Sequence, residues 1–315
     1  MMKTERRFCF FMNQIFINKN DAYLKGNLHT HTNASDGRYP VSEVVRIYAE
    51  KGYDFVGITD HDVYFRGCAE EAGLVVLAGE EVSCNYVGDD FYKAAYAHFC
   101  CFHKTRQTEN HFTYKNAEEL ADCITRLCDR YEFVQFNHPM FSRFSDDEML
   151  LLRGFHAMEV YNHKDFYKET GLNGADALVR FLFNHKKKLF LTAGDDFHGP
   201  FKNTVHDFCC GGWIKVKAEK NEKAILAALK HGDFYASTGP EILDFRREDH
   251  VFRIETTPAQ HIIFYTNDRR CKHICDDDGK DVTVGELVLR PTDYYVWVRV
   301  IDGQGNCAWT QPIFL

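Results

Sequence analysis

From about residue 25 to 240 the chain alternates apolar, strand-like runs with amphipathic, helix-like stretches, and this alternation constrains its fold more than any other feature. KGNLHTH reads as a strand. A helix follows Pro40, with Ser42 as N-cap and Gly52 as its stop. YDFVGIT, LVVLAGEEVSC, KAAYAHFCCF, FVQFNH, HAMEVY, LFLTAG and GGWIKVKA read as further strands. Helices are expected from a capping box at Asn116 and Glu119 to about Arg130, near 146–152, near 174–186, and over 219–232 with Gly232 past the end. Repeated strand–helix alternation predicts a mostly parallel sheet covered by helices, and closing that sheet gives a barrel. Functional residues of such barrels lie at the C-terminal ends of strands. The polar clusters of this chain fall there: after NL, GIT, VQF and LTAG.

After about residue 240 the helical pattern stops. VFRIETTP, HIIFYTN, DVTVGELVL and DYYVWVRVIDGQGNCAWTQPIFL are strand-like, with Gly- and Asp-rich turns between them. The expected organisation is therefore a barrel over 1–240, with 1–24 as an N-terminal strand segment, followed by a small antiparallel β domain over 241–315. A length of 315 residues accommodates both.

The 38 basic and 46 acidic side chains leave a net charge of -8. That balance argues against an extended nucleic-acid surface or an anionic-membrane surface. It leaves room for a small phosphorylated substrate, because bound cations would dominate the local field. The twelve cysteines are not spaced as a disulfide framework. Cys100–Cys101 and Cys209–Cys210 are adjacent, and adjacent residues of a strand point to opposite faces. The opening MMKTERRFCFFMNQIFINKN is interrupted by Asn13 and Gln14 and lacks a small-residue cleavage site, so it reads as a strand rather than a signal peptide. No apolar run reaches membrane-spanning length. These features predict a reduced, cytoplasmic protein.

NLHTHTNASDG carries His29, His31 and Asp36. Residues two apart on a strand face the same way, so the two imidazoles aim at one point. Asp196 and His198 repeat this spacing in TAGDDFHGP. TDHD supplies His61, FNHP His138, GEEVS Glu80 and Glu81, and YAHF His98. A mixed His/Asp/Glu set suits zinc, manganese or iron in a catalytic style of site, whereas structural zinc takes four Cys or His ligands. There are more donors than one ion needs, which points to two or three ions sharing a bridging carboxylate. Each motif alone is more often a polar turn or a core histidine than a ligand. Their conjunction at separate strand ends favours the metal site.

In order, NLHTHTNASDG, GITDHD, AGEEVS, YAHF, FNHP and AGDDFHGP resemble the motifs of the PHP (polymerase and histidinol phosphatase) superfamily of metal-dependent phosphoesterases. The opening KGNLHTHT and the C-terminal β segment resemble its stand-alone metallohydrolases. The resemblance implies a distorted (β/α)7, TIM-like barrel with up to three ions at its C-terminal face and a small all-β domain behind it. It implies a first ion on His29, His31, Glu81 and Asp196, with Glu81 bridging to a second ion on His98 and His138. A third would lie on Asp36, His61 and His198; some relatives carry histidine at the position of Asp36. Glu81 rather than Glu80 matches the family acid, Asp196 rather than Asp195 shares a face with His198, and His98 is preferred over His103. Asp60 is a candidate to orient a ligand histidine, with a turn cap as its alternative. Arg143 is a candidate phosphate grip, with a solvated surface position as its alternative. Lys164 is a poorer candidate, while Glu159 and Asn162 are placed to line a pocket. Cys271 and Cys275 have no second pair nearby, which argues against a zinc knuckle.

The implied activity is hydrolysis of a phosphoester in a nucleotide, sugar phosphate or short oligonucleotide by attack of a metal-bound hydroxide. The same site would also suit a carboxyl ester, amide or carbamate, and a non-catalytic metal- or ligand-binding module is the third reading. Substrate, metal identity and oligomeric state are left open by the sequence.

Overall fold

The structure is a computed structural model and describes residues 13–89, 96–105, 112–200, 209–267 and 270–315. It is a mixed α/β fold built on three sheets. Residues 1–12 of the expected N-terminal strand, and 93–95 of the expected KAAYAHFCCF strand, lie outside the described residues.

One sheet holds six strands in the order Phe190–Gly194, Ala157–Asn162, Tyr131–Phe136, Ala97–Lys104, Gly79–Tyr86 and Phe112–Tyr114. Its first three strands run parallel. Ala97–Lys104 is antiparallel to both of its neighbours, which corrects the expectation of a mostly parallel sheet. Gly79–Tyr86 pairs directly with the next long strand, Ala97–Lys104, and no helix is described between them, so the chain reverses direction there.

A larger sheet includes the run Trp213–Val216, Leu24–Asn27, Phe55–Gly57 and Leu74–Leu77. Leu24–Asn27, Phe55–Gly57 and Leu74–Leu77 are parallel to one another. The two sheets meet at two seams. Thr30 bridges to Phe197 on one side, and His61 to Glu81 and Phe65 to Gly79 on the other. Both seams lie beyond the C-terminal ends of the parallel strands, where the histidines are.

The larger sheet does not stop at residue 240. Phe234–Ser237 pairs with Cys307–Trp309, and the ladder continues through Tyr295–Ile301 and His261–Tyr265 to Cys271–Ile274 at its edge. Gln14–Ile17 pairs with Ile242–Glu248 in the third, four-stranded sheet, beside the C-terminal strands rather than the strands of the two larger sheets that carry the histidines. A phenylalanine-rich core, including Phe99, Phe102, Phe133, Phe136 and Phe183, packs the strands against the helices. Burying each such ring contributes roughly 1.5–3 kcal/mol. Gly57 is required by this packing, because a Cβ there would lie 2.5 Å from the Phe102 ring.

The helices follow local capping chemistry. Asn116 accepts a hydrogen bond from the Glu119 amide at the start of Ala117–Cys128, and Ser145 and Glu148 form a reciprocal capping box at Asp146–Leu151. Asn221 caps Glu222–His231, and Gly232 closes it at φ 81°. Helix Val41–Glu50 departs from expectation: Pro40 is its N-cap, without a side-chain bond, and Ser42 lies inside the first turn. Among the described residues no helix is long and apolar enough to cross a membrane. The sulfurs of Cys209 and Cys210 lie side by side, which corrects the expectation that the two adjacent side chains point to opposite faces. The segment is a bend with Cys210 at φ 69°, so strand alternation does not apply to it.

Candidate metal centre

Strand ends deliver the polar side chains to one place. His29 and His31 follow Leu24–Asn27, and their rings lie 5.3 Å apart by centroid. Glu81 sits in Gly79–Tyr86 and is 1% exposed. His98 reaches it from the neighbouring strand, where it pairs with Ser83. His138 follows Tyr131–Phe136, and Asp196 and His198 follow Phe190–Gly194.

Glu81 is the centre of the cluster. Its Oε1 lies 3.2 Å from His29 Nε2 and 3.4 Å from both His98 Nδ1 and His138 Nε2. Its Oε2 lies 3.3 Å from His31 Nε2 and 3.1 Å from His61 Nδ1. Asp196 Oδ1 stands 3.4 Å from His29 Nε2 and 3.2 Å from His31 Nε2. Asp36, with a side chain 56% exposed, closes the outer side: its Oδ2 is 3.2 Å from His198 Nε2 and 3.9 Å from His61 Nε2. The nine metal-site candidates from the sequence therefore fall into one cluster.

Side-chain direction separates the neighbouring candidates. Glu80 turns to the other face of its strand, where Lys104 and the Tyr131 hydroxyl donate to it. Asp195 turns inward and accepts hydrogen bonds from the amides of Cys210, Gly211 and Gly212 and from the Tyr48 hydroxyl. His103 is half-exposed beside Glu132, away from Glu81.

A second layer of polar residues holds the cluster in place. Glu159 Oε1 lies 2.9 Å from His29 Nδ1, so Nε2 faces Glu81 and Asp196. The Asn137 amide donates to Glu81 Oε1 at 2.7 Å. Gln135 donates to both Asn137 and Glu159, linking the two supports. Ser142 Oγ lies 3.3 Å from His138 Nδ1. Gly194 leaves room for this layer, since a Cβ there would lie 2.8 Å from Glu159 Oε1. Two cluster residues, His138 at φ 31° and Asp196 at φ 53°, occupy left-handed backbone, a conformation that costs roughly 1–3 kcal/mol per residue.

Asp60 does not reach a histidine. Its carboxylate accepts from the Thr32 amide and hydroxyl, both at 2.7 Å, and from the Ser35 hydroxyl at 2.6 Å. It thereby fixes the loop that carries Asp36. Arg143 is exposed at the end of the short helix Pro139–Ser142 and is not among the side chains lining the cavity over the cluster. Lys164 is in that lining, with Nζ 3.2 Å from Asp196 Oδ2. Phe141, Asp165 and Glu169 line the same cavity. Lys164, Asp165 and Glu169 carried no motif, because a π-helical turn, Asp165–Thr170, brings this segment over the site.

The electrostatics are those of buried carboxylates gathered among imidazoles. Burial opposes ionisation of Glu81, yet His29, His98, His61 and His138 hold its carboxyl well below the usual range. Burial likewise opposes Asp196, and Lys164, His29 and His198 hold it well below. Burial pushes the Asp165 carboxyl up to about 6. His29 Nε2, both ring nitrogens of His31 and Glu81 Oε2 are buried with no hydrogen-bond partner. Buried polar atoms are rarely left in this state, and nitrogen and carboxylate oxygen aimed at shared points are what zinc, manganese and iron take as ligands. The residues fit such ions. Compact groups within the cluster are His29, His31 and Glu81; His61, Glu81 and His98; and His31, Asp36, His61 and His198. A mixed His/Glu/Asp cluster under an open cavity has the make-up of a metal-dependent hydrolase active site.

Comparison with known proteins agrees. Residues 27–179 match the family model of the PHP domain. A stretch of 43 residues is 40% identical to the DNA polymerase/3'-5' exonuclease PolX of Bacillus subtilis (strain 168), covering 14% of this chain and 8% of that protein. The shared stretch is thus a small part of that relative's length. A two-domain protein from Bacteroides vulgatus ATCC 8482, described as containing a predicted PHP-like metal-dependent phosphoesterase, aligns over 99% of this chain and 100% of its own, at 14% identity and a TM-score of 0.47. An amidohydrolase from Chromobacterium violaceum, solved with bound sulfate and no metal, aligns over 58% of this chain and 90% of its own, at 14% identity and a TM-score of 0.38. With both TM-scores below 0.5, the assignment rests on the sequence match and on the motifs it spans. On those grounds the chain carries a PHP domain over residues 27–179, just under half of its length.

Proposed function

We propose that the cluster binds two or three divalent transition-metal ions, of the zinc, manganese or iron kind, and that the protein hydrolyses a phosphoester of a small molecule. The observation that carries this reading is Glu81, whose two carboxylate oxygens each face a different group of imidazoles within 3.1–3.4 Å. A carboxylate so placed is suited to bridge two ions. His29, His31 and Asp196 would share the first with Glu81; His98 and His138 would take the second; Asp36, His61 and His198 would take the third.

Bound ions of this kind polarise a phosphoryl oxygen, ionise a water at neutral pH and neutralise the leaving oxygen. The chain's own residues supply the rest. Glu159 keeps His29 in one tautomer, and Asn137 fixes the orientation of the Glu81 carboxylate. Lys164 places a cation at the cavity wall, where a substrate phosphate would meet it. Asp165, whose carboxyl burial raises above the usual range, lies in the same wall, within reach of a departing alkoxide. Phe141 excludes water from one side of the cavity.

We further read the two larger sheets as halves of a distorted barrel, a reading supported by the bridges at both seams. In this reading residues 241–315 are an accessory β domain that shares its sheet with the barrel. The test of function is a screen in which metal-stripped protein, reloaded with zinc, manganese or iron(II), is offered nucleotides, sugar phosphates and short oligonucleotides beside carboxyl esters and amides. The expected result is metal-dependent phosphate release that Asp196→Ala abolishes. Hydrolysis of carboxyl esters or amides alone, or an Asp196→Ala variant as active as wild type, overturns it.

A further inference from the structure

The strands His261–Tyr265 and Cys271–Ile274 form an antiparallel pair at the edge of the largest sheet, well separated in sequence from every residue of the catalytic cluster. Their register sets Ile262 against Ile274 and Ile263 against His273. Alternation then sends Ile262 and Phe264 into the second hydrophobic core. It sends His261 and His273 outward on one face, and Cys275, two residues beyond His273 and opposite His261, joins them. His273 and Cys275 are exposed and His261 is half-buried.

The three side chains converge. His261 Nδ1 and His273 Nε2 are 3.0 Å apart, and their ring centroids 4.9 Å. One donor atom from each of His261, His273 and Cys275 lies within 4.8 Å of the others. Tetrahedral zinc, with bonds of about 2.0–2.3 Å, holds nitrogen and sulfur donors roughly 3.3–3.8 Å apart. Small side-chain rotations reach that spacing. The sequence alone did not reveal the group, because Cys271–Cys275 spacing suggests a knuckle that lacks its second half. The pairing across strands supplies His261 instead.

We propose that His261, His273 and Cys275 form a separate metal site for a borderline-soft divalent cation, zinc above all, with a fourth position open to solvent. Two imidazole nitrogens and a thiolate are the donor types zinc prefers, and hard magnesium or calcium does not. In the absence of an ion the two imidazoles share one proton between facing nitrogens. On binding, the donating imidazole would carry its proton on its other ring nitrogen instead, the Cys275 thiol would give up its proton to solvent, and both freed nitrogen lone pairs and the thiolate would turn to the ion. The ion would clasp the edge strand Cys271–Ile274 to its neighbour, at a position where one side of the ladder is unpaired.

Cobalt(II) is the probe, because thiolate coordination gives it an intense near-ultraviolet charge-transfer band and the nine catalytic-cluster residues include no sulfur. Titration of the full-length protein is expected to produce that band, together with one more bound cobalt than the Cys275→Ser variant takes up. Cys275→Ser is expected to lose the band, and His273→Ala to weaken its build-up, while phosphoester turnover stays at the wild-type rate. The position of Cys275 is exposed, so an unchanged melting curve for the metal-free variant shows that loss of the band is not loss of fold. Absence of a band in wild type at saturating cobalt, or its persistence in Cys275→Ser, overturns the proposal.

Discussion

The Asn137 side chain donates a 2.7 Å hydrogen bond to the Oε1 of Glu81, across 56 residues of sequence. That oxygen also faces His29, His98 and His138, so one amide sets the angle at which the central carboxylate meets three imidazoles. Asn137→Ala removes the donor and leaves Glu81 free to rotate. Metal affinity or turnover is expected to fall about 10- to 100-fold with the fold intact, the usual effect of losing such a support. Metal content after dialysis and a melting curve check this.

Lys164 and Arg143 make a direct contrast. Lys164 lines the cavity beside Asp196, whereas Arg143 is exposed and outside that lining. Lys164→Met is expected to raise KM for a phosphoester by roughly tenfold, the scale of one charge-assisted contact. Arg143→Ala is expected to leave both kcat and KM near wild type. Steady-state kinetics on whichever phosphoester the screen identifies decides between them.

His156 gives a pH signature remote from the cluster. Burial, with Lys230 nearby, holds its imidazole below the ordinary histidine value, while the Val134 amide donates to its Nδ1. The unfolded chain therefore binds this proton more readily than the folded one. The stability tied to neutral His156 is present above the ordinary histidine pKa and is lost as pH falls through the lowered folded value. His156→Gln is expected to melt closer to wild type at pH 5 than at pH 7.5. Parallel melting curves at both pH values measure the difference.

Asp176 joins its own helix to the C-terminal strands. It opens helix Asp176–Asn184, pairs with Arg299 at 3.2 Å and accepts from the Trp309 indole at 3.0 Å. Removing Asp176 takes away one partner of this part-buried pair and the acceptor of the Trp309 indole. Asp176→Ala is expected to destabilise the whole protein by about 1–3 kcal/mol in a single transition. Denaturant unfolding followed by tryptophan fluorescence tests it, since Trp297 and Trp309 are both fully buried.

By itself the sequence determined the local pieces. Strand periodicity put His29 with His31 and Asp196 with His198, because alternation along a strand depends only on neighbouring residues, while the resemblance of the GEEVS motif told Glu81 from Glu80. The capping residues Asn116, Ser145 and Asn221 likewise act within their own turns. Everything that depends on which strands become neighbours was decided by the tertiary structure. Sheet register placed Asn137 under Glu81, and a π-helical turn brought Lys164 to Asp196. The loop geometry turned Asp60 toward Thr32 and Ser35 instead of a histidine. The same long-range pairing continued the sheet from Phe234–Ser237 into the C-terminal ladder. Hydrogen-bonded partners distant in sequence leave no periodic trace, so only the folded chain shows them.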